Sequence, residues 1–315
     1  MTTTECTNII KKIPSLTPLE LRLVSLKTNQ SLSEKTIYLS IEKRLKNLNA
    51  CVHCRSRNIV RWGHSHNLQR FRCKSCHKTF NELTKTPFAR MRKRDELGRY
   101  AQSMCEGKTL REAAKISNIV LSTSFRWRHK LLSMPEKHKA KRLAGIVEVD
   151  ETFFRESFKG KRNIHHRKPR RHGKAAKGEK VPLVPVLIAL DRTGKEADFV
   201  LKNKGQKEIH PCLKGRVKKG AVLCSDGSHV YSTFAKKEGI YHKRIISTAP
   251  LRRLDDGAFH IQNLNNYTQR LKGWMRRFNG VGTAYLKNYL AWWRGIAFNK
   301  LVNVEHWLDE ALVLK

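Results

Sequence analysis

The spacing of apolar residues changes twice along this chain. Over residues 1–49 it is helical, and two segments have the capping-box form, Thr17-Pro18-Leu19-Glu20 and Ser31-Leu32-Ser33-Glu34, each ahead of a periodic apolar stretch. Residues 50–82 break that rhythm with a cysteine-rich module, inside which Leu68-Gln-Arg-Phe-Arg72 has the look of a strand. Helical spacing returns over residues 95–135. From about residue 145 short apolar runs of strand character take over, at 145–154, 182–191, 196–202, 221–227 and 242–247. Helical patterns fill 229–238, 260–278 and 283–298, and Asp191-Arg-Thr-Gly194 is a hairpin turn between the second and third strands.

Three leading strands followed by alternating helices and strands predict a mixed sheet covered by helices. The whole reads as a multidomain α+β/α/β chain: an N-terminal helical region at 1–49, a cysteine module at 50–82, a helical module at 95–135, a sheet domain at 144–300 and a tail at 301–315.

Charge narrows the function. The 315 residues hold 65 Lys and Arg against 26 Asp and Glu, a net charge of +39, with a pI near 10.3. Such a balance calls for a nucleic-acid partner more readily than a small substrate. A basic membrane-surface protein would need an amphipathic anchor or lipidation signal, and a spanning helix needs ~20 apolar residues. The chain offers neither, so no membrane partner is expected and the protein is read as intracellular. The segment from Lys159 to Lys180 has ten Lys or Arg in 22 residues, at a place where a tight turn would have sufficed. It is expected to be a flexible loop whose Arg167, Lys168, Arg170 and Arg171 grip phosphates.

Cys51-x2-Cys54 and Cys73-x2-Cys76 have the spacing of a four-cysteine zinc site. Each pair makes a knuckle that aims two thiolates at one point. Four protein ligands leave no open position, so the zinc would be structural. The other cysteines, Cys6, Cys105, Cys212 and Cys224, stand alone and suggest no disulfide framework in a long basic chain.

The helical module that follows runs Thr109-Leu110-Arg-Glu112-Ala-Ala114-Lys-Ile116, then Ser117-Asn118, then Leu121 to Leu131. Thr109 and Glu112 have capping-box spacing, and Ser122 is placed to cap a second helix that points Arg126, Arg128 and Lys130 outward. A helix-turn-helix has that form, and a plain helical hairpin is the alternative.

Carboxylates supply the remaining chemistry. The run Gly145 to Phe154 presents Asp150 and Glu151, and Ala221 to Ser225 ends on Asp226 before turning at Gly227. If the two strands are neighbours, Asp150 and Asp226 share one sheet edge and suit a pair of divalent ions about 3.5–4 Å apart. Strand alternation sets Glu151 on the opposite face, and leaves Glu148, roughly 6.6 Å back on the same face, as an auxiliary ligand. On the helix near 260–278, Asn265 and Lys272 are seven residues apart and so lie on nearly one face, beside an apolar stripe of Leu264, Tyr267, Leu271, Trp274 and Phe278. Asn265 is placed to lend an oxygen to a metal and Lys272 to contact a phosphate.

In this order, the four-cysteine module, the helix-turn-helix, Val-Glu-Val-Asp150-Glu-Thr-Phe, Ser-Asp226-Gly and His260-Ile-Gln-Asn-Leu-Asn265-x6-Lys272 resemble the prokaryotic insertion-sequence transposases with an N-terminal zinc ribbon and a DDE-related catalytic domain. The tail from Arg277 to Trp292 is similar to that group's ending, and the resemblance covers roughly residues 50 to 300. It implies an RNase H-like fold and two-metal catalysis with Mg²⁺ or Mn²⁺. Asp150 and Asp226 then match the two catalytic aspartates, and Asn265 stands where many relatives have glutamate and one branch has asparagine followed by lysine. It also implies binding of double-stranded DNA at the element's ends and target, strand transfer by 3′-hydroxyls, a homo-oligomer on DNA, and a prokaryotic, nucleoid-associated cytoplasmic setting. A non-enzymatic regulator built on ribbon and helix-turn-helix accounts for residues 50–133 alone. A decayed, inactive copy is the other alternative, kept open by Asn265.

Overall fold

The computed structural model describes residues 3–133, 139–161, 163–165, 180–245, 257–298 and 303–312. The chain divides into two compact units, residues 1–131 with 301–315, and residues 132–300.

In the first unit, α1 (Thr3–Lys12) leads to α2 (Pro18–Lys46). The Thr17 box closes as expected: the Thr17 N–H donates to Glu20 Oε2 at 2.8 Å and the Glu20 N–H to Thr17 Oγ1 at 3.3 Å. The second box does not start a helix, because α2 runs unbroken through Ser31 and on to Lys46. No Gly or Pro separates the two halves, so continuing the i→i−4 ladder is favoured over restarting it.

The ribbon that follows has β1 (Ile59–Ser65), β2 (Leu68–Cys73) and β3 (Thr79–Phe80) in an antiparallel sheet of that order. His66 and Asn67 close its first hairpin with φ of 51° and 63°, the left-handed pair that matches strand twist. Beyond it lie α3 (Leu97–Cys105), α4 (Leu110–Ile116) and α5 (Leu121–Leu132). The last described helix, α10 (Val304–Leu312), packs with α2 and α3 and buries Trp307 and Leu308. The segment read as a tail is thus a helix belonging to the first unit.

The second unit is built on a mixed five-stranded sheet. Its strands are β4 (Ile146–Arg155), β5 (Leu183–Asp191), β6 (Glu196–Val200), β7 (Val222–Ser225) and β8 (Tyr241–Arg244). They lie in the order β6-β5-β4-β7-β8. Pairing is antiparallel from β6 to β4 and parallel from β4 to β8. The turn after β5 forms as expected: Asp191 Oδ1 accepts the N–H groups of Thr193 at 2.9 Å and Lys195 at 3.0 Å, and Gly194 takes the positive φ of 80°.

Alternation sorts the two faces. Val147, Val149, Leu187 and Ala189 join a core with α6 (Gln206–Leu213) and α7 (His229–Glu238). The other face meets α8 (Gln262–Arg276) and α9 (Leu286–Ala297), where Trp274, Phe278, Tyr289 and Trp292 pack ring against ring. At the β6 edge, Arg294 on α9 is 2% exposed and pairs with Glu196 at 3.5 Å and with Asp198, both also buried.

Candidate active site and metal centre

The four cysteines converge. Their ligand atoms all lie within 4.8 Å of one another. Cys51 Sγ is 3.7 Å from Cys76 Sγ, and Cys54 Sγ is 3.6 Å from Cys73 Sγ. Four thiolates about 2.3 Å from one zinc ion would be separated by about 3.8 Å, so the cluster fits a tetrahedral metal site. Knuckle N–H groups point at the sulfurs, His53 to Cys51 at 3.3 Å and Cys76 to Cys73 at 3.5 Å. The Cys76 N–H lowers the Cys73 thiol, while desolvation and hydrogen bonds from the neighbouring thiols raise that of Cys54. Phe71 and Phe80 stack beneath the cluster at 5.7 Å and, with Leu48, bury Cys51 and Cys73.

The helical module agrees with the sequence in part. Thr109 and Glu112 form their box. The helix α5, however, begins at Leu121, with the Val120 carbonyl accepting from the N–H groups of Thr123 and Ser124, so Ser122 lies inside the first turn and is not its cap. Arg126 and Lys130 are exposed, as expected. Arg128 is not: it is fully buried, and its Nη2 donates to the Lys108 carbonyl at 2.8 Å. Positions two apart on a helix point nearly opposite ways, so Arg126 and Arg128 do not share a face, whereas Arg126 and Lys130 do. Arg167, Lys168, Arg170 and Arg171 lie outside the described residues.

In the second unit, β4 and β7 are adjacent and parallel, and their register pairs Val147 with Leu223 and Glu148 with Cys224. Two positions further on, that register sets Asp150 beside Asp226. Both are half-buried. Asp226 Oδ1 accepts the Ser228 N–H at 3.0 Å in the turn that opens α7. Asp150 Oδ1 accepts the N–H of Glu151 at 2.7 Å. Burial is the main cause that raises the Asp150 carboxyl to about 6; the charges of Asp226 and Glu151 add to it, while the Glu151 N–H and Lys272 oppose it. Three acids therefore feel one another at this edge.

Glu151 does take the opposite face, where it accepts the Tyr231 hydroxyl of α7 at 2.6 Å. It is still not remote. Its carboxyl is raised by burial first and by Asp226 as well, against the lowering hydrogen bond from Tyr231. Asp226, at the strand end, is coupled to both faces.

Glu148 departs from its expected role as an auxiliary ligand. It is 1% exposed, and its oxygens are occupied by the Leu264 N–H at 2.8 Å and by Arg192 Nη2 at 3.1 Å. Sequence alternation found its face correctly but could not show these partners, which are distant in the chain. Asn265 and Lys272 both lie on exposed positions of α8, Asn265 directly after Leu264 and Lys272 within electrostatic reach of Asp150. Lys272 also borders a cavity of about 860 Å³, whose wall includes Phe153, Phe158, Lys161 and Arg276. Lys159, beside it, is held by the carbonyls of Phe278, Asn279 and Gly280 at 2.8–3.1 Å, which anchors the start of the basic insertion to the end of α8.

Comparison with known proteins bears on this edge directly. Residues 142–294, which contain every one of these acids, match the model of the ISXO2-like transposase domain. Over these residues the second unit is similar to the ISXO2-like transposase domain. A protein in transposable element ISH50 of Halobacterium salinarum is 23% identical over 248 residues, 76% of this chain and 82% of its own length. The resemblance to insertion-sequence transposases read from the motifs therefore holds. A chain from the simian T-cell lymphotropic virus intasome in complex with PP2A regulatory subunit B56 gamma is similar at 14% identity over 49% of each chain; its TM-score of 0.31 is too low to bear on the fold. Among the described residues, no helix of either unit is long and apolar enough to cross a membrane.

Proposed function

We propose that this protein is a transposase that binds the terminal inverted repeats of its element, cleaves phosphodiesters at the element's ends and joins the freed 3′-hydroxyls to target DNA. The observation that carries the reading is the parallel β4–β7 register which, extended two positions past Glu148 and Cys224, brings Asp150 level with Asp226, within residues that match the model of the ISXO2-like transposase domain. The strand order β6-β5-β4-β7-β8 is compatible with an RNase H-like sheet.

The proposed donor set is all hard oxygen, the Asp150 and Asp226 carboxylates with the Asn265 amide as third member, and suits Mg²⁺ or Mn²⁺. When bound, such ions supply charge neutralisation at the scissile phosphate and ease attack by water or by a 3′-hydroxyl. The chain's residues do the rest. Asp150, in the middle of β4, and Asp226, just past the end of β7, present carboxylate oxygens from neighbouring strands. Asn265 adds an oxygen without a charge, so it contributes less to holding a cation than a glutamate would. Lys272 contacts a phosphate oxygen of the strand being cut.

The first unit supplies recognition. Its four-cysteine cluster holds a structural zinc ion, and α4 with α5 acts as a helix-turn-helix that presents Arg126 and Lys130 to double-stranded DNA. Arg167, Lys168, Arg170 and Arg171 add phosphate contacts, and the protein works as a homo-oligomer that pairs two element ends in the prokaryotic cytoplasm. The test is nicking, in Mg²⁺, of DNA that carries the element's ends. Asp150→Ala and Asp226→Ala should each abolish it while leaving end binding intact, and retained cleavage in either variant sinks the assignment.

A further inference from the structure

We infer that Glu148 is a positioning residue that ties the strand carrying Asp150 to the first turn of the helix carrying Asn265 and Lys272. The inference rests on the transposase reading of the Asp150–Asp226 edge and deepens it.

The first-turn N–H groups of α8 receive no side-chain cap from Ile261, the residue before the helix. Glu148, 116 residues earlier in the chain, supplies one: its Oε2 accepts the Leu264 N–H at 2.8 Å. A carboxylate there satisfies an orphan donor and meets the positive end of the helix dipole. Its other oxygen, Oε1, lies 3.1 Å from Arg192 Nη2 and 3.6 Å from His260 Nδ1. Those two partners are themselves fixed. Arg192 donates to the Ala258 carbonyl at 3.2 Å and lies 3.0 Å from His260 Nε2, and the Gln262 N–H donates to His260 Nδ1 at 3.1 Å. One buried carboxylate therefore gathers the β5–β6 turn, the approach to α8 and the first turn of α8 itself.

Its place in the sequence gives this tie a consequence. Glu148 is two residues from Asp150 on the same face of β4, and Leu264 is the neighbour of Asn265. Beside the packing of α8 on the sheet, the Glu148 side chain thus links the strand-borne acid directly to the turn that carries the helix-borne amide. A buried charge paired with arginine gives little or no stability over a well-packed apolar residue. Orientation is what the carboxylate provides and a leucine would not. Groups that orient ligands from behind typically change metal affinity or activity by about 10–100-fold when removed.

Three variants test the tie: Glu148→Ala, Glu148→Gln, which keeps one acceptor oxygen, and Arg192→Ala. Hydrogen exchange is read at the Leu264 amide, and nicking of end-bearing DNA is followed against Mg²⁺ concentration, with end affinity measured alongside. In Glu148→Ala the Leu264 amide should lose protection while the amides of β5 keep theirs. The Mg²⁺ needed for half-maximal nicking should rise about 10-fold or more, with end affinity unchanged. Glu148→Gln should recover part of both effects, and Arg192→Ala should move both in the same direction by less. Unchanged Leu264 protection, or an unchanged Mg²⁺ requirement in a folded variant, overturns the inference. If Glu148→Ala does not fold, Glu148→Gln and Arg192→Ala decide on the same two readouts. Wild-type protein that never nicks DNA overturns the catalytic reading instead, and the exchange data then judge the tie by themselves.

Discussion

Two regions of this protein have the chemistry of a metal site, and the fold prepares them in different ways. In the first unit four sulfurs already lie within 4.8 Å of one another, aimed by backbone N–H groups and backed by stacked phenylalanines. In the second unit the β4–β7 register brings Asp150 level with Asp226, and the residue proposed as third contributor, Asn265, is an uncharged amide on an exposed helical position. Burial and the neighbouring acids raise Asp150 to about 6, which means that its ionised form is disfavoured where it stands. On the proposed reading the thiols would make a closed structural centre, and the carboxylates an open one that a cation would complete. A closed set of four ligands can hold a fold together, whereas an open edge leaves room for a substrate phosphate.

The largest effect that would sharpen this contrast is metal removal from the ribbon. Structural zinc sites of this kind contribute on the order of 10 kcal/mol of coupled binding and folding. Chelation, or Cys73→Ala, should therefore unfold residues 50–82, seen as loss of dispersed amide resonances from β1 to β3. A ribbon that keeps its resonances without metal would break the comparison. The sheet domain should not respond to chelators, because its stability lies in its core and in the buried pairing of Arg294 with Glu196 and Asp198. Arg294→Leu strands two buried carboxylates and should lower the stability of that domain by about 3–5 kcal/mol in urea unfolding.

Next in size is a pH effect at the open site. The folded-state value of Asp150, about 6, lies above the 3.8 of an ordinary aspartate. The folded protein therefore binds more protons than the unfolded one between these values, and metal-free stability falls as pH rises across that window. Asp150→Asn removes the effect. The variant should be more stable than wild type in EDTA above about pH 6, and the gap should close toward pH 3.8. A gap independent of pH would contradict the raised value.

The smallest effects belong to α5. Arg126→Ala should weaken DNA binding, with the salt slope reduced by about one, and leave stability alone. Arg128→Ala should lower stability by about 1–3 kcal/mol through the lost bond to the Lys108 carbonyl, without its own change in salt slope.

These last two residues show where sequence reasoning stops. The cysteine spacing, the Thr109 box, the Asp191 turn and the strands that carry Asp150 and lead to Asp226 are local signals, and each formed, although β4 runs on past Asp150 to Arg155. Arg128 was misplaced because a run of alternating basic residues suggests one face, while a helix repeats every 3.6 residues. Glu148 was assigned to the correct face and the wrong task, since Leu264 and Arg192 reach it only in the folded chain. The helix α6 was missed because Pro211 lies inside it and Gly205 opens it. The helix α10 was missed because its apolar residues find their core against α2 and α3, more than two hundred residues earlier.

Manganese titration calorimetry on zinc-loaded protein tests the central claim most directly. Wild type should bind Mn²⁺ at the sheet edge. Asp150→Asn and Asp226→Asn should each lose that binding while retaining zinc in the ribbon. Equal Mn²⁺ uptake by wild type and both variants would contradict the account, since the aligned aspartates would then not be the ligands.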